Sequence, residues 1–216
     1  MILRTRPGSV AVIVAPHPDD EIIGAAHLIR HLVLRRVRVR VVIVSDGAAS
    51  HPNSVHYPPR RLIGERRRES RRALRRLGVA AGAVAFLNLP DGRVGEPQGE
   101  CTARLHRALA KCRDIDVLVG PALDDAHPDH RAVAASLTQF RRARLRLAYR
   151  VWPHDRAGGP GLLRLSGATV TAKRSLIEGY RTQRGAIRDD PDGFTLARHE
   201  LAAFAHPVET FVRVRG

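Results

Sequence analysis

The chain has 216 residues, 44% of them hydrophobic, which is enough to form the core of one domain. Its formal net charge of +16 arises from 37 Lys and Arg against 21 Asp and Glu. No apolar run approaches the roughly 18 residues that span a bilayer, and the first residues lack the apolar core of a signal peptide, so we expect a soluble, cytoplasmic protein without a membrane span.

The positive charge leaves three kinds of partner to consider: nucleic acid, an anionic substrate and an acidic membrane surface. No nucleic-acid-binding motif accompanies the charge, and only one Trp, three Tyr and five Phe could stack on bases. We therefore interpret the charge as an arginine-rich, solvated surface and predict no nucleic-acid partner. Cys101 and Cys112 would lie about three turns apart on one helix, too far for a disulfide, as is typical of a reducing compartment.

Strand and helix patterns alternate along the whole chain. The predicted strands are residues 10–14, 37–45, 83–89, 116–120, 145–151, 168–171 and 209–214. The predicted helices are residues 22–29, 62–77, 100–112, 130–144, 173–183 and 194–205. This alternation predicts one α/β domain over residues 1–216, a three-layer α/β/α sandwich with a Rossmann-like, mainly parallel sheet. We expect the last strand at an edge, and no G-x-G-x-x-G pattern supports a dinucleotide.

The first polar motif, His17-Pro18-Asp19-Asp20-Glu21, follows the first predicted strand directly. In open α/β sheets, ligands bind outside the carboxyl ends of the strands. Imidazole nitrogens and carboxylate oxygens are both good ligands for Zn²⁺. A lone motif of this kind could equally be a turn with a capping Asp.

The second motif, Asp124-Asp125-Ala126-His127-Pro128-Asp129-His130, follows the fourth predicted strand. Its two histidines and three aspartates could complete a metal site and leave residues over for acid–base work. Two such motifs in order, each behind a buried-strand pattern, favour the metal site over the capped turn.

Together, His17-Pro18-Asp19-Asp20-Glu21 and His127-Pro128-Asp129-His130 resemble the paired motifs of the PIG-L/LmbE-like family of zinc-dependent N-deacetylases. The resemblance covers most of the chain and is strongest over 10–92 and 116–135. It implies the same α/β/α architecture and a hydrolase that uses zinc-activated water to remove an N-acetyl group from an amino sugar or glycoconjugate. Fe²⁺ or another divalent metal would fit the same ligands.

The resemblance also implies a role for each motif residue. The implied metal ligands are His17, Asp20 and His130. Three protein ligands leave a position open for water and substrate, as in a catalytic zinc site. Asp19 is then the expected general base, and His127 the expected oxyanion stabiliser, best protonated for that role. Asp129 would hold the His127 imidazole and raise its pKa.

Asp46 and Asp91 each stand in an Asp-Gly turn after a predicted strand and match substrate-side positions of the family. A plain turn is the alternative for both. Arg66 matches an Arg that points at the sugar, although Arg67 and Arg68 compete for this alignment. Pairing with glutamates on the same helix explains most of its arginines without a substrate. The histidines of the polar loop 48–59 could face either substrate or solvent.

Asp125 stands where some relatives have a Tyr that binds the oxyanion, which excludes a Tyr at this position and leaves Tyr57 or Tyr149 as possible substitutes. Two other function classes stay open: a basic nucleic-acid-binding protein with structural zinc, and a non-catalytic sugar-binding protein with a metal site. Structural zinc favours four ligands and Cys, and both cysteines lie away from the motifs. A second carboxylate, Asp19, directly beside the implied ligand Asp20 favours an enzyme over a non-catalytic binding protein. No feature indicates a particular sugar or an oligomeric state.

Overall fold

The structure is a computed structural model that describes residues 3–152, 162–166 and 170–214. Its strands are β1 Val10–Ala15, β2 Arg38–Ser45, β3 Val84–Leu89, β4 Ile115–Pro121, β5 Ala143–Tyr149, β6 Leu162–Ser166 and β7 Val208–Arg213. Its α-helices are α1 Asp20–Leu34, α2 Pro59–Arg76, α3 Glu100–Ala110, α4 Pro128–Thr138, α5 Val170–Ile177 and α6 Arg198–Phe204. Within the described ranges, none of the helices has the length and apolar character needed to cross a membrane.

The seven strands form one sheet in the order β3-β2-β1-β4-β5-β7-β6. The first five pair in parallel, and β7 pairs antiparallel with both β5 and β6. The chain runs outward from β1 to β3, then returns to the other side of β1 at β4. A crevice opens at such a reversal, at the carboxyl ends of the two strands. The two polar motifs follow these two strands, β1 and β4.

The helices cover both faces of the sheet, which confirms the predicted three-layer α/β/α sandwich. Ala11 and Ile13 of β1 face a core shared with α1, α2, α5 and α6. Val12 and Val14 face a second core shared with α3 and α4. Because β1 is buried on both faces, its sequence is a continuous apolar run rather than an alternating one.

The predicted helix at 130–144 is too long, because α4 ends at Thr138 and residues 143–149 form β5. Phe140 closes the helix end. Its N–H donates to the carbonyl of Leu137 at 3.1 Å, and its ring is buried among α3 and α4. The chain then pairs with β4, so tertiary pairing decides the conformation of a segment whose local pattern also suits a helix.

The carboxyl-terminal third differs most from the prediction. Residues 170–171 of the predicted strand 168–171 begin α5, while 168 and 169 lie outside the described residues. The predicted helix 173–183 ends at Ile177, and β6 was not predicted. The predicted edge strand is wrong, because β7 lies between β5 and β6 and its Phe211 is fully buried.

The first turn of α1 packs against a tyrosine ring. A Cβ added to Gly24 would lie 2.4 Å from Cδ2 of Tyr149. The Tyr149 hydroxyl donates to the carbonyl of Val14 at 2.9 Å, which fixes the ring in place. Only glycine therefore allows the helix to approach the sheet so closely at this point.

We predict that Gly24→Ala lowers the free energy of unfolding by about 1–3 kcal/mol, since the fixed ring cannot yield to the added methyl group. Urea unfolding measures the change. The matched control is Gly64→Ala in α2, where the nearest atom to the new Cβ is 3.8 Å away. That variant should gain roughly 0.5–1 kcal/mol from helix propensity. Equal effects of the two substitutions would show that the ring does not constrain α1.

Candidate metal centre

Three electron-pair donors meet in the crevice between β1 and β4. Nδ1 of His17 lies 3.1 Å from Oδ2 of Asp20 and 3.2 Å from Nε2 of His130, and the latter two atoms are 3.1 Å apart. A tetrahedral ion at the usual zinc distances of about 2.0–2.1 Å would hold its ligands about 3.3 Å apart. The nearly equilateral triangle of these three predicted ligands thus has the spacing of a metal site.

The other nitrogen of His17 faces two carboxylates. Nε2 lies 3.2 Å from Oδ1 of Asp91 and 3.2 Å from Oδ2 of Asp129. Since ionised carboxylates only accept hydrogen bonds, Nε2 carries the ring proton and Nδ1 presents its lone pair to the triangle. The two carboxylates therefore set the tautomer that a metal-binding imidazole needs.

The far nitrogen of His130 also faces a carboxylate, from a residue outside the predicted site. Its Nδ1 lies 3.2 Å from Oδ2 of Asp125, which leaves Nε2 as the lone-pair nitrogen. Asp125 is almost fully buried and also accepts the backbone N–H groups of His127, Val151 and Trp152 at 2.8–3.1 Å. The sequence signal for this role is the position of Asp125 in the second motif, in the same strand-end segment as His130.

The pKa values show how strongly this cluster attracts positive charge. Burial lowers the pKa of His17, but the hydrogen bonds of Asp129, Asp20 and Asp91 outweigh burial and hold it well above its ordinary value. Burial also lowers the pKa of His130, yet Asp20 and Asp125 raise it to about 9. The carboxylates around the two imidazoles therefore favour a positive charge at this point of the crevice.

Backbone N–H groups from two loops fix the carboxylates behind His17. Asp129 accepts the N–H of Gly92 at 2.8 Å and that of Val94 at 3.0 Å. Asp91 accepts the N–H of Ala49 at 3.0 Å. Burial alone would raise the pKa of Asp91, but His17 and Arg66 lower it to about 2, so it stays ionised.

The expected pairing of Asp129 with the His127 imidazole is wrong, because the Asp129 carboxylate lies against His17 instead. Nδ1 of His127 accepts the backbone N–H of Asp129 at 3.2 Å. Burial and the neighbouring charges of His17 and His130 lower the pKa of His127, and the opposite effect of Asp129 is smaller. His127 is therefore a neutral imidazole with its proton on Nε2, rather than the protonated ring that we expected.

Asp19 lies beside the triangle without being part of it. Its backbone has φ 133° and ψ −30°, a conformation that non-glycine residues rarely adopt. The N–H of Asp19 donates to Oε2 of Glu21 at 2.9 Å, and its Oδ2 accepts from Nη2 of Arg66 at 3.3 Å. Burial raises the pKa of Asp19 to about 8 against the opposing charge of Arg66.

Arg66 is the arginine of α2 that reaches the site. It is buried and donates to the carbonyls of Gly47 at 2.9 Å and Pro18 at 2.8 Å. Arg67 lies over the ring of Phe86, and Arg68 pairs with Glu65 on the exposed face. Arg66 therefore holds the corner between β1 and α1 and orients the Asp19 carboxylate.

Other predicted residues lie farther from the triangle. Oδ1 of Asp46 accepts the N–H groups of Ala48 and Asp91, so this carboxylate organises the turn behind Asp91 rather than lining the crevice. Tyr57 packs under the guanidinium of Arg61, and the Tyr149 hydroxyl is bonded to β1. Neither tyrosine lines the crevice, so the expectation that one replaces an oxyanion-binding Tyr is wrong.

Outside the triangle, the crevice is a cleft of about 510 Å³, large enough for a small ligand. Its polar floor contains His17, Asp19, Asp20, Asp91 and His127. One wall is apolar and is formed by Trp152, Ile177, Phe194 and Leu196. The resemblance had implied that the segment 172–183 packs near the mouth of the site, without a role for Tyr180. Tyr180 lies in the same wall and donates its hydroxyl to Oε1 of Glu21 at 2.7 Å.

A family model described as PIG-L, GlcNAc-PI de-N-acetylase, matches residues 12–140, which is more than half of the chain. A comparison with curated proteins found no match. The matched region contains both polar motifs and every residue of the triangle.

Solved structures with the same fold differ in their reactions. The N,N'-diacetylchitobiose deacetylase of Pyrococcus horikoshii is 20% identical, with a TM-score of 0.68 over 82% of this chain and 71% of that one. A conserved protein of Thermus thermophilus is 20% identical, with a TM-score of 0.70 over 94% and 93%. The 4-carboxy-2-hydroxymuconate hydratase of Pseudomonas putida is 18% identical, with a TM-score of 0.60 over 95% of each chain. At these identities the likeness concerns the fold alone.

We predict that Asp125→Asn weakens Zn²⁺ binding by about 10–100-fold, because the carboxylate that orients His130 is lost. Competition with a chromophoric chelator measures the dissociation constant. Asp124→Asn is the matched control, since its side chain is 66% exposed and pairs with Arg150 away from the triangle. The orientation by Asp125 would be refuted if both variants bound Zn²⁺ as tightly as the unmodified protein.

We predict that Asp19→Gly is more stable than Asp19→Ala by about 1–3 kcal/mol, the range expected for backbone strain at one residue. Both variants lack the carboxylate, so the difference in unfolding free energy isolates the positive φ of Asp19. Equal stabilities would show that the corner holds no strain.

Proposed function

We propose that this chain, which belongs to the PIG-L family, is a metal-dependent hydrolase that removes the acetyl group from an N-acetylated amino sugar or glycoconjugate. The observation that carries the proposal is the triangle of His17, Asp20 and His130. Three converging lone pairs lie at the floor of an open cleft, with the Asp19 carboxylate, which is not part of the triangle, and the neutral His127 imidazole beside them. This is the arrangement that a metal-assisted hydrolysis requires.

The donor set fits Zn²⁺, and Fe²⁺ or another divalent ion would fit as well. His17 and His130 would supply nitrogen ligands and Asp20 an oxygen ligand, leaving the cleft side open. A bound Zn²⁺ would polarise an amide carbonyl and lower the pKa of water in the cleft. Asp91, Asp125 and Asp129 would hold the two imidazoles in the tautomer that binds the ion.

Asp19 acts as the general base in this proposal. Its carboxylate takes a proton from water while the water oxygen forms a bond to the carbonyl carbon of the acetamide. The same carboxylic acid then gives that proton to the amine nitrogen as the C–N bond breaks, which releases acetate and the free amine. A pKa near neutrality suits a group that must both accept and donate a proton.

His127 stabilises the charge that develops on the carbonyl oxygen. Because its Nδ1 is engaged by the N–H of Asp129, the proton lies on Nε2 and can be donated to that oxygen. The imidazole needs no extra proton for this role. Arg66 keeps the Asp19 carboxylate turned toward the reacting water.

An N-acetylated sugar is supported by the family description and by the relative that deacetylates N,N'-diacetylchitobiose. We place the sugar in the cleft, with its acetamide at the polar floor and a less polar part against the Trp152 and Phe194 wall. Asp91 lines the cleft and would contact the sugar, whereas Asp46 would act through the turn that it organises. We propose no nucleic-acid partner.

A non-catalytic binding role is less well supported than hydrolysis. Asp19 is a buried carboxylate in an unfavourable backbone conformation, a combination typical of catalytic groups. Metal or sugar binding alone would not require this residue.

We predict about one Zn²⁺ per chain and release of acetate from at least one member of a panel of N-acetylated amino sugars. His17→Ala and His130→Ala should lose metal and activity together, whereas Asp19→Ala should keep the metal and lower kcat by roughly 10²–10⁴-fold. Elemental analysis and an acetate assay measure the two properties.

His106→Ala is the matched control, because its ring bonds to the carbonyl of Ser136 beyond the site and should affect neither property. Full metal retention in both ligand variants would contradict the centre. A metal-loaded protein that released no acetate across the panel but hydrated an unsaturated acid would contradict the proposal and point to a hydratase, as the Pseudomonas putida structure is named.

A further inference from the structure

A buried ion pair between α5 and β7 lies against the backbone of α1. Nζ of Lys173, from α5, is 2.8 Å from Oε1 of Glu209, from β7. Both side chains are only 3% exposed. Removing two charges from water is costly, so a pair of this kind requires further hydrogen bonds to persist.

Those hydrogen bonds go to the backbone of α1, at a break in the helix. Ala25 has φ −145° and ψ 19°, which divides α1 into a short first turn and a longer second segment. Oε1 of Glu209 accepts the N–H of His27 at 2.9 Å, and Oε2 accepts that of Leu28 at 3.0 Å. Nζ of Lys173 donates to the carbonyl of Ile23 at 2.7 Å.

The pair thus caps two helix ends at once. A carboxylate on the second and third N–H groups of a helix is the usual N-terminal cap, here supplied from a distant strand. An ammonium on a carbonyl near the end of the first segment is the corresponding cap for a carboxyl end. In an unbroken helix the carbonyl of Ile23 would accept from the N–H of His27.

The first turn that the pair holds is the one that carries Asp20. Ile23 lies one turn after Asp20 on the same short segment, and the carbonyl of Asp19 accepts the N–H groups of Ile22 and Ile23 at 2.9 Å. Any rotation of this segment about the break would move the Oδ2 of Asp20 relative to the two imidazoles.

We propose that Lys173 and Glu209 are positioning residues for the metal centre. Together they fix the angle of the first turn of α1 and hence the place of Asp20 and Asp19 relative to His17 and His130. The expected effect on metal affinity rests on the proposed metal centre, whereas the anchoring of α1 by the ion pair does not depend on a bound metal.

The test uses Lys173→Met, Glu209→Gln and the double variant, in the full chain. The matched control is Leu105→Ala, which truncates a fully buried residue in the core on the opposite face of the sheet. Zn²⁺ dissociation constants come from chelator competition. Hydrogen exchange of the His27 and Leu28 amides, relative to amides of β1, is followed in metal-free protein.

We expect the single variants to bind Zn²⁺ about 10–100-fold more weakly, as for other residues that orient metal ligands, while Leu105→Ala binds it normally. The two amides should exchange at least about 10-fold faster relative to β1 in the Lys173 and Glu209 variants only. If a single variant does not fold, the double variant decides, because it leaves no unpaired buried charge.

Unchanged Zn²⁺ affinity together with unchanged relative exchange in the folded variants would overturn the proposal. Weaker affinity matched by Leu105→Ala would also overturn it, since general destabilisation would then suffice. A wild-type chain that bound no Zn²⁺ would instead refute the metal centre, and the exchange measurement alone would decide whether the pair anchors α1.

Discussion

The structure depends on an electrostatic conflict between three lone pairs that converge in a largely buried crevice. Nδ1 of His17, Oδ2 of Asp20 and Nε2 of His130 repel one another unless a positive charge lies among them. The surrounding carboxylates disfavour a flipped imidazole ring, because the far nitrogen of each ring lies 3.2 Å from a carboxylate oxygen. The protein has therefore concentrated negative charge at one point of a chain whose overall charge is +16.

The same carboxylates hold the loops of the site together. Asp129 follows β4 yet accepts N–H groups from the loop after β3, and Asp91 follows β3 yet accepts one from the loop after β2. Each strand end is thus tied to its neighbour by the side chain that also orients His17. Asp91 and Asp129 both fasten the loops and orient His17. A substitution at either residue therefore alters the loops and the imidazole together.

The fold class could be predicted because β1 is a continuous apolar run and β4 is apolar apart from Asp116. Both motifs could be predicted because polar residues after such strands lie at one edge of the sheet. Other features depend on contacts that no local pattern records. Glu209 meets His27 across 182 positions, and Tyr180 reaches Glu21 across 159. β5 was partly assigned to a helix because pairing with β4, rather than local propensity, determines it. The protonation state of His127 was predicted wrongly, because the backbone N–H of Asp129 contacts the His127 ring while the Asp129 carboxylate lies against His17.

The placement of β7 inside the sheet has a consequence for biosynthesis. The matched family region ends at residue 140, yet Tyr149, Lys173, Tyr180 and Glu209 brace the corner that carries the first motif. On the ribosome, every ligand emerges well before Glu209 does, and contacts so distant in sequence form late because the intervening chain must close first. A nascent chain would therefore expose the side chains of the candidate metal centre while the second segment of α1 is still uncapped. Tight binding of a metal ion there would have to await the completion of the sheet.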